Sequence, residues 1–319
     1  MSEVITIGEP IVTFAATEPD VSLADALDYH KILGGAELNV AIGVQRLGHS
    51  VDYISRVGTD PLGDYVIKTI LGHRVGTQYI STDQEAWTGH QLKQLVTTGD
   101  PLTFNYRKNS AAAHLKPEVI NKVDLTDVKI AHMSGIFPAI SETADASFRT
   151  LLKRLIDNDI LINFDPNLRP SLWESESKMR TTINELAGFA DIVMPGVEEG
   201  KILMGSDDPE KIADFYLTGV RTKTVIVKIG SKGAFVKTSA GDSYVVDGFK
   251  VANVVDTVGA GDGFALGVIT ALLENQSMAS AVRRGNAVGA LQVQTPGDND
   301  GYPTPEKLSA FYAQEGVTE

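Results

Sequence analysis

Short β-branched segments alternate with longer segments of helical periodicity along most of this chain, and this alternation limits the fold more than any other feature. Strands and helices that follow one another in this way are typical of α/β domains, in which helices flank a mainly parallel sheet. Six strands of such a sheet are predicted at residues 3–8, 52–58, 128–135, 160–166, 191–195 and 224–230. We therefore expect an α/β fold with a mainly parallel central sheet.

The segment AELNVAIGVQRL, residues 36–47, has the periodicity of a helix with one apolar face. Val40, Ala41, Val44 and Leu47 fall on that face. Asn39 lies off the apolar stripe, so we expect its side chain to be free to face a ligand.

Two segments interrupt the alternation, residues 10–33 and 86–114, and both have the period of two that is typical of strands. They predict a small β lid beside a large α/β domain formed by residues 1–9, 34–85 and 115–319. A lid at the carboxyl edge of a parallel sheet would cover the crevice where such folds bind ligands. The alternative is a pair of surface hairpins with no role at the crevice.

Charge and cysteine content exclude several classes of protein. The chain has 28 Lys and Arg against 41 Asp and Glu, a formal net charge of -13, which disfavours nucleic acid and anionic membranes as partners. It has no cysteine, which excludes disulfides, thiolate metal sites and cysteine nucleophiles. No signal-peptide pattern and no apolar run of membrane-spanning length is present. We expect a cytoplasmic protein with no membrane partner.

The segment DTVGAGDGFALG, residues 256–267, places Asp262 in a glycine turn directly before an apolar helix. Such a turn presents free backbone N–H groups and the positive end of the helix dipole, which together suit a phosphate. An aspartate beside that phosphate, kept ionised by the dipole, could accept the proton of an attacking hydroxyl. The alternative is that Asp262 is only the N-cap of the helix. Phe264 stands where the last glycine of a dinucleotide fingerprint belongs, so dinucleotide binding is disfavoured.

Two motifs together resemble the ribokinase-like (phosphofructokinase-B) family of sugar kinases: GGAELNVAIGVQRLG at 34–48 and DTVGAGDGFALG at 256–267. The segments GEPIVTF, FNYRKNSAA and DPNLRPSLW are similar to the 2-keto-3-deoxygluconate kinase branch of that family. The resemblance implies a three-layer ribokinase-like fold with a β lid, and ATP and Mg²⁺ as cofactors. It also implies that Asp262 is the general base, and that the backbone of Gly259, Ala260 and Gly261 forms an anion hole for the phosphoryl group.

The substrate end is assigned to residues of five segments. Glycines allow the backbone to approach a sugar closely, and an asparagine both donates to and accepts from hydroxyls. Arginines suit the carboxylate of a 2-keto-3-deoxy sugar acid because the guanidinium fork binds it bidentately. The residues expected to bind the sugar acid are Gly34, Gly35, Asn39, Tyr106, Arg107, Arg169, Asp262 and Asp298. The alternatives are a turn at the start of the helix for the glycines, solvated ion pairs for the arginines and an Asx turn for Asp298.

The nucleotide end is assigned by the resemblance to a strand, turn and strand at residues 227–236 and to positions near it. The residues expected there are Asn167, Arg169, Lys228, Gly230, Ser231, Gly233, Gly259, Gly261 and Asn286. The alternative for Ser231 is a plain exposed turn. Glu199 is expected to orient water on Mg²⁺. The chain departs from the family pattern at Gly196, where asparagine is usual, at His90 and Gln91, where a tyrosine is usual, and at Asn105, where the branch has an aromatic residue.

These residues predict phosphorylation of 2-keto-3-deoxygluconate to 2-keto-3-deoxy-6-phosphogluconate. A kinase for a neutral sugar such as fructose or ribose would use the same Asp262 without the two arginines, and a nucleoside kinase is a weaker option. A sugar sensor that kept the fold would not need a base aimed at the phosphate. The lid sheet has exposed edges, which favours a homo-oligomer joined through the lids.

Overall fold

A computed structural model describes residues 2–99 and 101–317 of the chain; Met1, Asp100, Thr318 and Glu319, which fall in the predicted domain ranges, lie outside them. A nine-stranded sheet forms the centre of the main domain. Its strands are β1 (Val4–Ile7), β4 (Val51–Gly58), β5 (Ile80–Asp83), β8 (Ile130–Ser134), β9 (Leu161–Asp165), β10 (Ile192–Val193), β11 (Thr224–Lys228), β12 (Gly233–Thr238) and β13 (Ser243–Asp247). Their order across the sheet is β13-β12-β11-β10-β9-β8-β1-β4-β5. Strands β11 to β5 in that order are parallel, and β12 and β13 extend the sheet as an antiparallel hairpin.

Ten α-helices connect or flank the strands of the described part of the chain. They are α1 (Ala36–Arg46), α2 (Pro61–Gly72), α3 (Pro117–Ile120), α4 (Glu142–Asp157), α5 (Glu176–Ala187), α6 (Val197–Met204), α7 (Pro209–Tyr216), α8 (Ala260–Leu273), α9 (Met278–Gln292) and α10 (Pro305–Gln314). Short 3₁₀ segments occur at Ala111–His114, Phe137–Ala139, Pro170–Leu172 and Gly230–Lys232. Over residues 2–99 and 101–317, no helix combines the length and the apolarity needed to cross a bilayer.

The main sheet is buried on both faces, which gives three layers. Along β1, Val4 belongs to the core beneath α1, α8 and α9, whereas Ile5 and Ile7 belong to the core beneath α4, α5 and α7. A strand buried on both sides reads as a continuous apolar run, which explains why short β-branched segments marked these strands in the sequence. All six predicted strands of the main sheet are confirmed.

The second, smaller sheet contains β3 (Tyr29–Gly34), β2 (Ile11–Pro19), β6 (His90–Leu95) and β7 (Thr103–Tyr106), in that order. Strands β2 and β6 pair in parallel, and β3 and β7 pair antiparallel to them at the two edges. The segments that interrupt the α/β alternation supply these strands. We call this sheet the lid sheet, and its role as a lid stays a prediction.

Helix α1 confirms the predicted helix. The Asn39 side chain, however, is not free in the way that was expected of a ligand-facing residue. Val40, Ala41 and Val44 are fully buried, as their stripe predicts. However, every residue from Ala36 to Val44 is buried, because α1 packs between the sheet and α8. Asn39 is 2% exposed, and its side chain is bonded within the protein rather than free.

Candidate active site

A cavity of about 360 Å³ lies at the carboxyl edge of the main sheet, beside the lid sheet. Asp165 and Lys228, the last residues of β9 and β11, lie in its wall, and Arg107 reaches it from the segment after β7. Open α/β sheets bind ligands at this edge. The predicted site residues that line the cavity are Gly35, Asn39, Arg107, Asn167, Arg169, Glu199, Lys228, Gly259, Gly261, Asp262 and Asp298.

Other predicted residues lie outside the cavity lining. Gly34 ends β3 directly beneath Asp298, since a Cβ atom on Gly34 would lie 2.2 Å from the Asp298 Oδ2 atom. Ala260 is the first residue of α8. Gly230 and Ser231 belong to the turn between β11 and β12, and Gly233 begins β12. Their roles in binding stay predictions.

Tyr106 and Asn286 also lie outside the lining, and each side chain has a partner within the protein. Tyr106 is 45% exposed on β7 and stacks on His90, with ring centroids 5.1 Å apart. The Asn286 Nδ2 atom donates to the backbone carbonyls of Val246 and Asp247, both at 3.1 Å, so this side chain ties α9 to β13. The geometry shows a packing role for both residues.

Helix α8 begins at the glycine turn, but Asp262 does not cap it. The N-cap is Gly259, whose φ of 77° lies in the left-handed region that glycine adopts without strain. A Cβ atom there would lie 1.9 Å from the carbonyl oxygen of Asp298. Asp262 lies three residues further, and its carboxylate accepts no backbone N–H of the helix. The N-cap alternative for Asp262 is therefore wrong.

The free N–H groups of the turn are those of Gly259 and Gly261, for which the described residues provide no acceptor. The N–H of Ala260 donates to the carbonyl of Thr257 at 3.3 Å. On the other side of the turn, the Tyr302 hydroxyl donates to the carbonyl of Gly259 at 2.7 Å and fixes its orientation. Two of the three predicted anion-hole donors are thus available without any rearrangement.

The Asp262 carboxylate is held by two amide side chains. Its Oδ2 atom accepts from Asn39 Nδ2 at 2.9 Å, and its Oδ1 atom accepts from Asn167 Nδ2 at 3.2 Å. Asn39 is oriented in turn by Asn299, whose Nδ2 atom donates to Asn39 Oδ1 at 3.0 Å. Burial raises the pKa of Asp262 from its ordinary 3.8 to about 6, against the lowering effect of the bond from Asn39. The carboxylate is still mostly ionised at neutral pH, but burial outweighs the expected support from the helix dipole.

Lys228 forms an ion pair within the cavity wall. Its Nζ atom lies 2.8 Å from Asp165 Oδ2, and a Cβ atom on Gly261 would be 3.8 Å away from it. The ammonium group therefore stands beside the start of α8. Burial lowers the pKa of Lys228, but attraction to Asp165 and Glu199 outweighs burial, so the pKa is raised and Lys228 stays charged.

Glu199 uses both carboxylate oxygens on backbone groups. Oε1 accepts from the N–H of Leu168 at 2.9 Å, and Oε2 accepts from the N–H of Gly196 at 2.7 Å, at the start of α6. Burial raises the pKa of Glu199, although Lys228 and these two bonds oppose the rise. Each oxygen keeps a second lone pair for a water molecule.

The two predicted arginines differ in their surroundings. Arg169 is exposed, and its Nη1 atom donates to the carbonyl of Leu168 at 2.9 Å. Arg107 instead forms an ion pair with Glu9, whose Oε2 atom lies 2.8 Å from Nε and 2.5 Å from Nη2. The Glu9 side chain is completely buried, so this pair is not a solvated one. Sequence reasoning missed Glu9, although it lies in the quoted segment GEPIVTF.

Glu37 is a second cavity carboxyl group that sequence reasoning missed. It is 1% exposed in the first turn of α1, and the Ser134 hydroxyl donates to it. Gly8 leaves room for it, because a Cβ atom there would lie 2.3 Å from Glu37 Oε2. Burial raises the pKa of Glu37 from 4.5 to about 7. The available signal was a glutamate inside GGAELN, a motif in which Gly34, Gly35 and Asn39 were assigned to the substrate end.

Asp298 lies over the glycine turn and has no hydrogen-bond partner for its carboxylate among the described residues. Burial raises its pKa, and Lys93 of the lid sheet acts in the opposite direction. An unpaired carboxylate in a cavity wall is a suitable acceptor for a ligand hydroxyl. No Asx turn of Asp298 is formed, although its binding role stays a prediction.

Comparison with known proteins agrees with this geometry. The model of the pfkB family of carbohydrate kinases matches residues 1–305. The 2-dehydro-3-deoxygluconokinase of Bacillus subtilis (strain 168) is 42% identical over 315 residues, which cover 98% of this chain and 96% of that protein. The chain belongs to the pfkB family of carbohydrate kinases.

Solved structures similar to this pfkB kinase confirm the ribokinase-like fold. A PfkB protein from Polaromonas sp. JS666 has a TM-score of 0.88 and 40% identity, covering 97% of this chain and 100% of that one. A putative ribokinase II from E. coli, in complex with ATP and Mg²⁺, has a TM-score of 0.89 and 27% identity, covering 98% of this chain and 100% of that one.

The departures from the family pattern have local explanations in this pfkB kinase. Gly196 is the N-cap of α6, and its backbone N–H donates to Glu199 Oε2, a bond that does not depend on the side chain at this position. His90 stacks against Tyr106 instead of facing the cavity, and the neighbouring Gln91 lines the cavity. Asn105 is exposed at the edge of the lid sheet.

Proposed function

We propose that this pfkB kinase transfers the γ-phosphoryl group of ATP to a hydroxyl of 2-keto-3-deoxygluconate, also called 2-dehydro-3-deoxygluconate. The product is 2-keto-3-deoxy-6-phosphogluconate. One observation carries the proposal: two arginines, Arg107 and Arg169, line the same cavity as the buried carboxylate of Asp262. A neutral sugar offers no anionic group for such a pair. The relative in Bacillus subtilis supports the same substrate.

The reaction requires a base, an anion site and a positioned acceptor. Asp262 takes the proton of the attacking hydroxyl. The hydroxyl oxygen forms a bond to the γ-phosphorus while the bond from that phosphorus to the bridging oxygen of ADP breaks. The N–H groups of Gly259 and Gly261, joined by that of Ala260, stabilise the negative charge on the phosphoryl oxygens. A general base of this kind typically contributes a factor of about 10²–10⁴ in rate.

At the nucleotide end, the proposed binding residues are Lys228 and Asn167 in the cavity wall, Gly230, Ser231 and Gly233 in the adjoining hairpin, and Asn286 behind it. Lys228 is placed to contact a phosphate beside the start of α8. The Oδ1 atom of Asn286 remains for a ligand, since Nδ2 is bonded to β13.

The cavity suits Mg²⁺ that arrives with ATP rather than a metal held by the protein alone. Among the described residues, no group of three or more His, Asp and Glu side chains is arranged to hold a metal ion. Mg²⁺ usually keeps several waters and binds substrate phosphates with one or two carboxylates. Glu199, with its remaining lone pairs, is the residue proposed to hold such a water. When bound, the ion neutralises phosphate charge.

A neutral-sugar kinase is the second candidate, and one observation favours it. Glu9 already compensates the charge of Arg107, so the net positive charge that attracts an acid comes mainly from Arg169. A substrate without a carboxylate would leave the Glu9–Arg107 pair undisturbed. The two functions therefore differ in what they require of Arg169.

Kinetics of Arg169→Ala decide between them. Loss of a charge-assisted contact costs about 2–5 kcal/mol, and the exposed setting of Arg169 favours the lower end, so KM for the acid should rise about thirtyfold. KM for fructose should stay within about twofold, and Arg169→Lys should recover only part of the loss. Arg180→Ala, an exposed arginine of α5 outside the cavity, is the matched control. Equal losses on acid and fructose, or no turnover of the acid by the parent enzyme, would favour the neutral-sugar kinase.

We also propose a homodimer formed through the lid sheets, in the cytoplasm where ATP is available. Leu102, Phe104 and Tyr106 of the edge region are 60%, 55% and 45% exposed, which is a large apolar surface for an edge strand. Light scattering should give the mass of a dimer, and Phe104→Glu should give a monomer. A monomeric parent protein at working concentration would contradict this interface.

A further inference from the structure

Glu9 lies where the chain passes between the main sheet and the lid sheet. It follows β1 and precedes β2, and its side chain is completely buried. The three other segments in which the chain passes between the two sheets also lie beside Glu9. Arg107 and Ser110 both bond its carboxylate in the segment after β7, with the Ser110 hydroxyl donating to Oε1 at 2.5 Å. A Cβ atom on Gly89 would lie 2.4 Å from Oε1, and one on Gly35 would lie 2.6 Å from the Glu9 carbonyl oxygen.

The contacts with Glu9 use one edge of the Arg107 guanidinium. Nε donates to Oε2 of Glu9 at 2.8 Å, and Nη2 lies 2.5 Å from the same oxygen. A guanidinium has a second edge, formed by Nη1 and the other hydrogen of Nη2, which is able to bind a carboxylate bidentately. Because Arg107 lines the cavity, this second edge is the one left for a ligand.

We propose that Glu9 is a positioning residue for the acid substrate: it fixes one edge of Arg107 so that the other edge faces the cavity, and thereby links carboxylate binding to the lid sheet. The proposal rests on the proposed function, because it assumes that Arg107 contacts the substrate carboxylate. Glu9 lines the cavity, but its side chain is completely buried and both of its carboxylate oxygens are already bonded, to Arg107 and to Ser110. Its effect on KM must therefore pass through Arg107.

A double-mutant cycle tests this dependence. Glu9→Gln keeps the shape and the contact with Ser110 but removes the charge that holds Arg107. We expect KM for 2-keto-3-deoxygluconate to rise at least tenfold, with kcat within about threefold and KM for ATP unchanged. In an Arg107→Ala background, the same change should alter KM for the acid less than twofold. Arg107→Lys serves as a second background, because it keeps a charge beside Glu9 if the alanine variant does not fold.

The matched control is Asp191→Asn, which neutralises another buried carboxylate paired with an arginine. Its Oδ2 atom lies 3.0 Å from Arg221 Nη2, at the start of β10 and away from the cavity. It should lower the melting temperature without changing KM for the acid. Equal factors for Glu9→Gln with and without Arg107, or a fall in kcat alone, would overturn the role of Glu9 while leaving the proposed function intact. No turnover of the acid by the parent enzyme would overturn the proposed function, and the role of Glu9 with it.

Discussion

Replacing Asp262 by asparagine should reduce activity and increase stability at the same time. At neutral pH the folded protein holds a buried carboxylate whose pKa has risen from 3.8 to about 6. A raised carboxyl pKa means that stability falls as pH rises from about 4 to about 6, and that the whole loss is present at pH 7. The shift corresponds to about 3 kcal/mol, which Asp262→Asn removes.

The hydrogen bonds around Asp262 determine how much of this gain in stability the variant loses. The new amide has one oxygen and one NH₂ group, but both neighbours, Asn39 and Asn167, now donate to Asp262. Asn39 is fixed by Asn299, so the oxygen must face Asn39 and the NH₂ group must face Asn167. One lost hydrogen bond costs about 1 kcal/mol, which leaves a net gain of about 2 kcal/mol. In a chain of 319 residues this raises the melting temperature by roughly 3 °C.

Turnover should fall by about 10²–10⁴ because the base is gone, whereas ATP and the sugar acid should still bind. The parent enzyme should lose kcat/KM below about pH 6, and the residual activity of the variant should lack that limb. Calorimetry, thermal melts and pH profiles of both proteins measure these quantities. A variant that keeps the parent kcat, in a preparation free of parent enzyme, would refute the role of Asp262 as base. A lower melting temperature would refute the electrostatic argument.

Three further predictions concern residues around Asp262. Glu37→Gln should stabilise the protein by about 3 kcal/mol at pH 8 and not at pH 4. The reason is that the raised pKa of Glu37, about 7, makes the native state lose stability between about pH 4.5 and 7. Equal shifts at both pH values in thermal melts would contradict this. Lys228→Met should destabilise the folded protein by about 3–5 kcal/mol, because it leaves Asp165 buried without its partner. Adding Asp165→Asn should recover most of this loss in urea titrations. A double variant as unstable as the single one would count against a stabilising role of the ion pair. Gly259→Ala should lower the free energy of unfolding by about 1–3 kcal/mol and remove most of the turnover. The reason is that φ is positive at this position and the new Cβ atom would meet the Asp298 carbonyl. Retained activity in a steady-state assay would remove the turn from the mechanism.

Local patterns were sufficient for six strands of the main sheet and for the glycine turn. These six strands are buried almost throughout, so their composition alone marks them, whereas the edge strand β13 is mostly exposed. GAGD needs only its own backbone to form a turn. The identity of the N-cap was not decided by the pattern, because both glycine and aspartate are accepted there. Only the backbone geometry at Gly259 distinguishes the two.

The missed carboxyl groups depend on partners far along the chain. Glu9 meets Arg107 across 98 positions, and Glu37 meets Ser134 across 97. No periodicity reports such a contact. The same limitation explains why Glu9 was not predicted as the partner of one edge of the Arg107 guanidinium.

The bond between Asn39 and Asp262 spans 223 positions, and Asn299 approaches Asn39 across 260. A chain cut in the exposed segment near residue 250 would therefore leave the acceptor-binding helix in one fragment and the base in the other, each without activity. Without α8 and α9, one face of the main sheet would also stay uncovered until the two fragments associate. Phosphorylation activity would then report the association of the two fragments. The segment near residue 250 is therefore a suitable place to divide the enzyme into a complementation sensor.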